Sequence, residues 1–533
     1  MSIFFIVIYV ILGIYVVLNF KYDLQMFQQN SYRLPRYWRW LRSDVGSTWR
    51  LVDVASLFLV MAVLLDYRLS ALVAALVALS KIFLILRRKS KKPLVFTHRV
   101  WRLYAVTALI AVGTIVGLAC GLGTDQLWGY YPGQSMVIIA ALMLSIFSYV
   151  PVMIADIILM PVEYLIRQHY INDAKRILRS MPDLKVIGIT GSYGKTSTKH
   201  YLANIMSMEF DTLITPGSFN TPMGVVRTIR EQLKPYNQVF ICEMGAKQIG
   251  DIKEICDIVH PKEGIITAVG PMHLETFKSI DNVCRTKFEL ADALPSDGLA
   301  VVNNDSDPCA ARVVNNVRTL RYGVKNHKGC DYIARDVHYT PAGTTFTVQG
   351  PENLEFEVQT RLLGEGNISD LLAAIVIALQ NGMTPQKIRT AVAGIQPVEH
   401  RLSIRQIPGN ITVIDDAFNS NPAGARMAVD VLSDFKQGKR IIITPGMVEL
   451  GSSQYDLNRE FGKYIGSDNH VDVIILVGAT NRDALKQGVN ESDFDTENLI
   501  VVDNFNEAQK RLQPLLTPGA TVLYENDLPD SFK

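Results

Sequence analysis

The first third of the chain consists of long apolar runs that are separated by short charged segments. Met1 to Phe20 carries no charged side chain and would be about 30 Å long as a helix, which is enough to cross a bilayer. Four more apolar runs follow, at residues 51–65, 69–86, 103–122 and 135–160. The pattern predicts a transmembrane region of about five helices over residues 1–163.

The charges between these runs predict the orientation of the region. Basic residues are concentrated after the first run (Lys21, Arg33, Arg36, Arg39, Arg42, Arg50) and after the third (Arg87, Arg88, Lys89, Lys91, Lys92, Arg99, Arg102). Residues 123–134 contain none. Because basic loops stay in the cytoplasm, we expect an outside N-terminus and a cytoplasmic chain after Met160. The first run has neither a basic start nor a cleavage site, so we interpret it as an anchor.

The hydrophobic pattern changes at about Leu184. Short β-branched runs now alternate with helical patterns, which indicates parallel sheets covered by helices. The predicted fold is an α-helical membrane domain followed by α/β domains. We place a juxtamembrane linker at 164–184, a central domain with a parallel sheet at 185–398, and a Rossmann-like C-terminal α/β domain at 399–533. The last boundary follows a helix-like stretch, Leu371 to Leu379.

Composition excludes several classes of protein. The 533 residues are 48% hydrophobic and 20% charged, which fits a chain that is part membrane and part globular. A formal net charge of +2 gives no support for nucleic-acid binding. Six cysteines without a C-x-x-C pair argue against a disulfide framework and a zinc site, and fit a reducing compartment.

A phosphate-binding motif opens the second part of the chain, in the stretch Val186 to Met206. A hydrophobic strand leads into a glycine-rich turn and then a helix, where backbone N–H groups and the helix N-terminus bind phosphate oxygens. Lys195 would neutralise phosphate charge, and Thr196 would offer its hydroxyl to Mg²⁺. The spacing is G-x-x-G-K-T, because Ile189 occupies the first glycine position of the usual motif. The nucleotide-binding candidates are Gly191, Ser192, Gly194, Lys195, Thr196 and Ser197. The motif predicts that the central domain, 185–398, is a P-loop ATP-binding domain.

Two further candidates stand at predicted strand ends, where ligands bind in open α/β sheets. Glu243 follows the strand Val239 to Cys242, and its carboxylate suits Mg²⁺. His273 follows the strand Gly264 to Val269. Acidic residues at strand ends and single histidines are common in structural roles. These two are therefore functional candidates only because they occur together with the other motifs.

Together these segments resemble the Mur ligases, the ATP-dependent peptide-bond-forming enzymes of bacterial cell-wall precursor synthesis. The resemblance is nearest to the branch that adds D-alanyl-D-alanine, and it covers Lys185 to the C-terminus. Its blocks occur in the family's order: TGSYGKTST, PGSFNTPMGV, CEMGA, AVGPMHLETF, NVCRTKFEL, GNISDLLAA, HRL, VIDDAFNSNP and PGMVELG.

The resemblance implies roles for further residues. Lys287 matches a lysine that the family carbamylates, which would make it an anionic ligand shared by two Mg²⁺ ions with Thr196, Glu243 and His273. Asn367 matches the adenine-contacting asparagine, and Arg401 the arginine that touches the ATP phosphates. Asp416 and Asn419 would face the nucleotide and the reacting phosphate, while Asn220 and Thr221 lie in the loop near the acceptor. The implied catalytic set is Lys195, His273, Lys287 and Asp416.

Several positions depart from the family pattern. Gly366 and Asn458 stand where histidine is usual, and the run Tyr524 to Pro529 replaces a lysine–glycine–serine stretch. The membrane region takes the place of the usual N-terminal domain that binds the UDP-sugar. These departures leave the acceptor and the amine donor open.

The expected function is ATP-dependent amide formation through an acyl phosphate at the cytoplasmic face of the bacterial inner membrane. The expected partners are the lipid bilayer, a lipid-linked or UDP-linked envelope precursor and an amine donor; the membrane region also permits a homodimer. Two alternatives remain: a poly-amino-acid synthase of the polyglutamate type, and a catalytically silent membrane scaffold that binds nucleotide.

Overall fold

The computed structural model describes residues 3–42, 67–87, 93–121, 133–340, 343–418 and 420–528. These residues form two compact units, one that extends to Gln168 and one that covers His169–Leu528.

The described part of the first unit is helical. Its helices are α1 (Ile3–Gln29), α2 (Leu34–Arg42), α3 (Tyr67–Arg87), α4 (His98–Gly121), α5 (Gly133–Ile146) and α6 (Tyr149–Arg179). Three stretches, Ile3–Gln29, His98–Leu118 and Tyr149–Arg179, are long and apolar enough to cross a membrane. The predicted second span, residues 51–65, lies outside the described residues, so the predicted number of five stays a prediction.

The predicted fifth span, Ser135 to Met160, is divided between two helices. Helix α5 ends at Ile146 and α6 begins at Tyr149. Ser148, at the break, donates a hydrogen bond to the buried carboxylate of Asp23 in α1. Pro151 has no backbone N–H to donate, which suits the first turn of a new helix. The apolar pattern could not show this break, because the residues on both sides of it, up to Met160, are mainly apolar.

Helix α6 continues through most of the segment predicted as a linker, 164–184. It ends at Arg179, and its C-terminal part contributes to the core of the second unit. Ile171 and Ala174 are buried there beside Val225 and Ile229. Most of the predicted linker is therefore folded structure.

The second unit contains two sheets. The strands of the first are β1 (Lys185–Thr190), β2 (Thr212–Ile214), β3 (Val239–Glu243), β4 (Glu263–Ile266), β5 (Leu299–Asn303), β6 (Arg318–Gly323), β7 (Tyr332–Thr340), β8 (Gly343–Gln349) and β9 (Glu355–Thr360). They lie in the order β2–β3–β1–β4–β5–β6–β7–β8–β9. The pairs from β2 to β7 are parallel, whereas β8 pairs antiparallel with β7 and β9. The predicted parallel sheet is thus extended by an antiparallel edge.

Helices cover both faces of this sheet. They are α7 (Lys195–Met206), α8 (Pro222–Gln232), α9 (Asp251–Val259), α10 (Leu274–Phe277), α11 (Ile280–Ala293), α12 (Asp307–Ala311), α13 (Glu365–Gln380) and α14 (Pro385–Gly394). One core packs α7, α13 and α14 on the sheet, and the other packs α8, α9 and α11. Helix α13 is buried on all sides from Asn367 to Ala378, which explains the unbroken apolar run from Leu371 to Ala378.

The second sheet contains β10 (Ser403–Ile407), β11 (Ile411–Asp416), β12 (Arg440–Thr444), β13 (Val473–Val477), β14 (Leu499–Val502) and β15 (Thr521–Glu525). The order is β10–β11–β15–β12–β13–β14, with β10 antiparallel to β11 and the other pairs parallel. Four helices accompany it, α15 (Pro422–Ser433), α16 (Gln454–Gly466), α17 (Arg482–Asn490) and α18 (Phe505–Leu512). The two sheets lie on either side of the predicted boundary at 398/399, which itself stays a prediction.

We expect Ile171→Ala to lower the free energy of unfolding of the second unit by roughly 2–4 kcal/mol, because it leaves a cavity in a packed core. The exposed neighbour Asn172 supplies the control, since Asn172→Ala on the same helix should change stability by less than about 0.5 kcal/mol. The measurement is the urea midpoint for proteolysis of the full chain in detergent. Equal midpoints for the two variants would show that this helix end does not stabilise the fold.

Candidate active site

A tight turn between β1 and α7 forms the phosphate loop, residues 190–197. Gly194 has a φ of 77°, and a Cβ at this position would lie 2.0 Å from Oδ1 of Asp370, so the turn requires glycine. The ammonium of Lys195 lies over the loop, 2.7 Å from the carbonyl oxygen of Gly191 and 3.1 Å from that of Ser192. Burial lowers the pKa of Lys195 to about 8. A lysine and a helix N-terminus at one turn make an anion-binding site.

The loop is fixed to the neighbouring strand. The hydroxyl of Ser192 accepts a hydrogen bond from the backbone N–H of Gly270 at 3.1 Å, and the backbone N–H of Ser192 donates to the carbonyl of Ala268 at 2.6 Å. Both partners follow β4, which pairs with β1. The phosphate loop is therefore held in place by the sheet itself.

Glu243 ends β3 directly beside β1, and its carboxylate is 1% exposed. It accepts hydrogen bonds from Thr196 Oγ1 at 3.1 Å and from Asn220 Nδ2 at 2.9 Å, and its Oε2 lies 2.9 Å from Nζ of Lys199. Burial would raise the pKa of Glu243, but the charges of Lys199 and Lys195 outweigh it and keep the carboxylate ionised. The structure thus brings Thr196 and Glu243 together, while their role as Mg²⁺ ligands stays a prediction.

The segment 216–221, which we call the acceptor loop, lies against the same carboxylate. Besides the bond from its side chain to Glu243, Asn220 accepts a backbone hydrogen bond from Gly245 at 2.7 Å. Thr221 caps α8, because its hydroxyl accepts a hydrogen bond from the backbone N–H of Gly224. Asn220 thus faces the phosphate loop, while Thr221 fixes the start of a helix.

His273 and Lys287 are placed differently from Glu243. The ring nitrogen Nδ1 of His273 contacts the carboxylate of Glu449, which follows β12 in the second sheet. Lys287 is buried on α11, with its ammonium 6.0 Å from the centre of the Phe277 ring. Burial and the charge of Lys195 hold the pKa of Lys287 well below its usual value. Among the described residues, no three His, Cys, Asp or Glu side chains form a ready metal cluster.

A cavity of about 1160 Å³ opens between the two sheets beside the phosphate loop. Residues from both sides line it, among them Gly194, Ser197, Asn367, Asp370, Arg401, Asp416 and Asn421. The amide of Asn367 is already engaged, since it accepts from the Tyr201 hydroxyl at 2.9 Å and donates to the Leu363 carbonyl at 2.8 Å. The cavity is large enough for a nucleotide.

Arg401 and Asp416 enter the cavity from the second sheet. The guanidinium of Arg401 donates to the carbonyl of Phe418 at 3.0 Å and lies 4.7 Å from the centre of its ring. Asp416 accepts a hydrogen bond from the backbone N–H of Leu402 at 3.0 Å. Burial raises the pKa of Asp416 to about 6, against the opposing charge of Arg401. The predicted Asn419 lies outside the described residues.

Two family models match this chain. Residues 189–378 match the Mur ligase middle domain, and residues 400–524 match the Mur ligase glutamate ligase domain, which together is more than half of the chain. The chain belongs to the Mur ligase family. It is therefore an ATP-dependent, ADP-forming ligase, and Mur ligases use ATP and Mg²⁺.

Similar proteins are known by sequence and structure. The UDP-N-acetylmuramoyl-tripeptide–D-alanyl-D-alanine ligase of Escherichia coli K12 is 29% identical over 64% of this chain and 75% of its own length. That of Haemophilus influenzae is 29% identical over 58% and 67%. The crystal structure of MurF from Acinetobacter baumannii shares a TM-score of 0.62 and 27% identity, over 68% of this chain and 77% of that one. The first unit, which extends to Gln168, lies before both of the segments that match the family models.

Two departures of this Mur ligase from the family pattern have structural explanations. A Cβ at Gly366 would lie 2.9 Å from the sulfur of Met427, which accepts a hydrogen bond from the Gly366 backbone N–H. A side chain at position 366 would therefore require the end of the Met427 side chain to move. Asn458 is fully buried and bonds both the N–H and the carbonyl of Met447, at 2.8 and 3.0 Å. Its amide fixes the turn after β12.

The third departure is the run that begins at Tyr524. It lies at the end of β15, where its side chains contact the ends of neighbouring strands. The buried carboxyl of Glu525 receives hydrogen bonds from the hydroxyls of Ser420 and Thr444, and it pairs in register with Asp416. Burial raises the pKa of Glu525 to about 7. Asn526 adopts a φ of 63°, a conformation that favours glycine or asparagine. An acidic residue thus holds together the loops that line the cavity.

Lys199, Asp370 and Glu449 were not among the residues that the sequence motifs predicted for the site. Lys199 follows Lys195 by four residues and therefore shares its helix face, a spacing that could have indicated its role. Asp370 lies one turn after Asn367 on α13. Glu449 belongs to a recognised block, but its contact with His273 joins residues 176 positions apart, so no local pattern could show it.

The buried carboxyl of Asp370 makes stability depend on pH. Burial raises its pKa to about 7, so the folded state favours the protonated form. The free energy of unfolding should therefore fall as the pH rises from about 4 to about 7. Asp370→Asn removes this titration. Without nucleotide, the free energy of unfolding of the variant should exceed that of the wild type by roughly 1–3 kcal/mol at pH 8, and by less at pH 5. Urea midpoints across this pH range measure the effect.

Asp257→Asn is the matched control, because Asp257 is exposed on α9 and pairs with Lys253. Its stability curve should run parallel to that of the wild type. A parallel curve for Asp370→Asn as well would show that Asp370 is ionised throughout.

Proposed function

We propose that this Mur ligase joins the carboxylate of a lipid-linked cell-envelope precursor to an amine donor at the cytoplasmic face of the membrane. One observation carries the ligase part of the proposal. The phosphate loop and the acceptor loop hydrogen-bond the same carboxylate, through Thr196 and Asn220 to Glu243. Nucleotide phosphate and acceptor carboxylate would therefore meet at one point.

The oxygen ligands present fit magnesium. A buried, ionised carboxylate (Glu243) and a hydroxyl (Thr196) lie within hydrogen-bonding distance of each other, and Mg²⁺ prefers such oxygen donors. The amide nitrogen of Asn220 donates to the same carboxylate. Mg²⁺ bound there would offset the negative charge of the phosphates. We also propose that His273 and a carbamylated Lys287 complete a second ion site, as in the family resemblance.

In the proposed reaction an oxygen of the acceptor carboxylate attacks the γ-phosphorus of ATP, and ADP leaves. The nitrogen of the amine then attacks the carbonyl carbon of the acyl phosphate; inorganic phosphate leaves and the nitrogen loses a proton. Lys195 would hold the phosphate oxygens, and Arg401 would approach them from the second sheet. The cavity walls around Asn367 and Asp416 would position the nucleotide and keep water from the acyl phosphate.

The lipid-linked acceptor is inferred from the first unit. Three stretches of the described residues are apolar and long enough to cross a membrane, and they precede both family matches, where the relatives carry other sequence. A soluble acceptor would need no membrane region. An acceptor held in the same bilayer would meet the enzyme at a raised effective concentration.

The test compares acceptors with the full chain in lipid nanodiscs, supplied with Mg·ATP and D-alanyl-D-alanine. We expect kcat/KM at least about tenfold higher for a lipid-linked muramoyl peptide than for UDP-N-acetylmuramoyl-tripeptide. Phosphate release should require the amine and disappear in Lys195→Ala, while Lys253→Ala, on an exposed helix face, should keep it. Mass spectrometry identifies the product.

Each contrary result has a distinct meaning. Equal or better turnover of the UDP-linked tripeptide would overturn the lipid-linked acceptor. A ladder of additions in the mass spectrum would indicate a poly-amino-acid synthase. No amine-dependent phosphate release with a broad panel of carboxylates and amines would leave the nucleotide-binding scaffold.

Carbamylation of Lys287 is separately testable. The amine nitrogen would attack carbon dioxide and lose a proton, and the lowered pKa makes its neutral form available. With ¹³C-bicarbonate we expect a carbamate resonance in the wild type and in Lys253→Met, but not in Lys287→Met. Activity of Lys287→Met should fall by more than about a hundredfold. A full carbamate signal in Lys287→Met would refute the assignment.

A further inference from the structure

Lys199 is a charged side chain with no exposed surface. It lies on α7 one turn after Lys195, and lysine is among the residues least often fully buried. Its Nζ is 2.9 Å from Oε2 of Glu243 and donates to the carbonyl oxygen of Gly217 at 2.6 Å. The ammonium therefore has an ionic partner on β3 and a hydrogen-bond acceptor in the acceptor loop.

These contacts differ from those of Lys195. Lys195 folds over the phosphate loop and bonds two of its carbonyls. Lys199 instead connects the phosphate-binding helix to Glu243 and to the acceptor loop. Lys199 is not required for binding of the phosphates, and it is not one of the ligands proposed for Mg²⁺.

The acceptor loop is attached to this ion pair at two points. Its Gly217 carbonyl accepts from Lys199, and its Asn220 side chain donates to Glu243 at 2.9 Å. The phosphate loop is attached to the same carboxylate through Thr196. A change in the charge around Glu243 therefore acts on both loops.

Stability alone is a weak explanation for this arrangement. A buried ion pair is often no more stabilising than packed apolar residues of the same volume, because both charges lose their hydration. What apolar residues could not supply is a hydrogen bond to the Gly217 carbonyl that depends on the charge balance at Glu243. The arrangement is therefore better explained by coupling between the phosphate loop and the acceptor loop than by a contribution to packing.

We propose that Lys199 is a positioning residue that couples nucleotide binding at the phosphate loop to the conformation of the acceptor loop. The inference rests on the proposed function in so far as this loop meets the acceptor. When Mg²⁺ and phosphate change the charge around Glu243, Lys199 redistributes its contacts between Glu243 and Gly217. The acceptor loop then becomes ordered for its substrate only in the nucleotide-bound enzyme.

The experiment follows hydrogen exchange of the backbone amides from Gly217 to Thr221 in the full chain in detergent. Exchange is measured with and without Mg²⁺ and a non-hydrolysable ATP analogue. In the wild type we expect the analogue to slow exchange of these amides by about tenfold, within the usual range of coupling between sites. Lys199→Met should still bind the analogue but lose this response, whereas Lys253→Met should keep it.

Kinetics supply a second readout that a purely structural role would not give. Lys199→Met should raise the KM for the acceptor by about tenfold while the KM for ATP stays within about twofold. Lys199→Arg keeps the charge and should restore part of the exchange response. Equal losses for both substrates would instead indicate general damage to the site.

Several outcomes would overturn the coupling. One is that the analogue leaves hydrogen exchange of the acceptor loop unchanged in the wild type. Another is that the analogue slows this exchange in Lys199→Met as much as in the wild type. If Lys199→Met does not fold, Asn220→Ala cuts the other attachment of the loop and should weaken the same response; an unchanged response would count against the proposal. Exchange needs neither acceptor nor turnover, so coupling without ligase activity would refute the proposed function and leave this inference standing.

Discussion

The buried negative charge of Glu243 is the feature on which the site depends. A carboxylate with almost no exposure is stable only when cations and hydrogen-bond donors replace its lost water. Lys199 and Lys195 supply the charge, while Thr196 and Asn220 supply the donors. Because Lys195, Thr196 and Lys199 belong to one segment and Asn220 to another, satisfying one charge fixes the phosphate loop and the acceptor loop relative to each other.

The sheets bring these segments together. Parallel strands end at one edge, so the residues that follow β1, β3 and β4 become neighbours although they are far apart in sequence. The second sheet repeats this principle, since Asp416 and Glu525 end adjacent strands. The cavity lies between these edges, which is why nucleotide-facing residues come from both sheets.

The departures from the family pattern lie in the supporting structure of the site. Met427 occupies the space that a side chain at Gly366 would need, and Asn458 fixes a turn by bonding its backbone. Glu525 binds two hydroxyls at the strand edge. The phosphate loop and Glu243 lie within the segment that matches the Mur ligase middle domain. This distribution fits an enzyme that retains ATP chemistry and differs in the residues that support the nucleotide site.

The sequence by itself determined the alternation of strands and helices, the phosphate loop, and Thr196 and Glu243 as neighbours, because these depend on local periodicity and on strand ends. It did not predict the antiparallel edge β7–β9, the break between α5 and α6, or the continuation of α6 to Arg179. Only the tertiary structure decided that Lys199 meets Gly217, that His273 meets Glu449 and that Asp370 packs on Gly194. These contacts join distant segments whose side chains must satisfy one another once buried, and that requirement leaves no local trace in the chain.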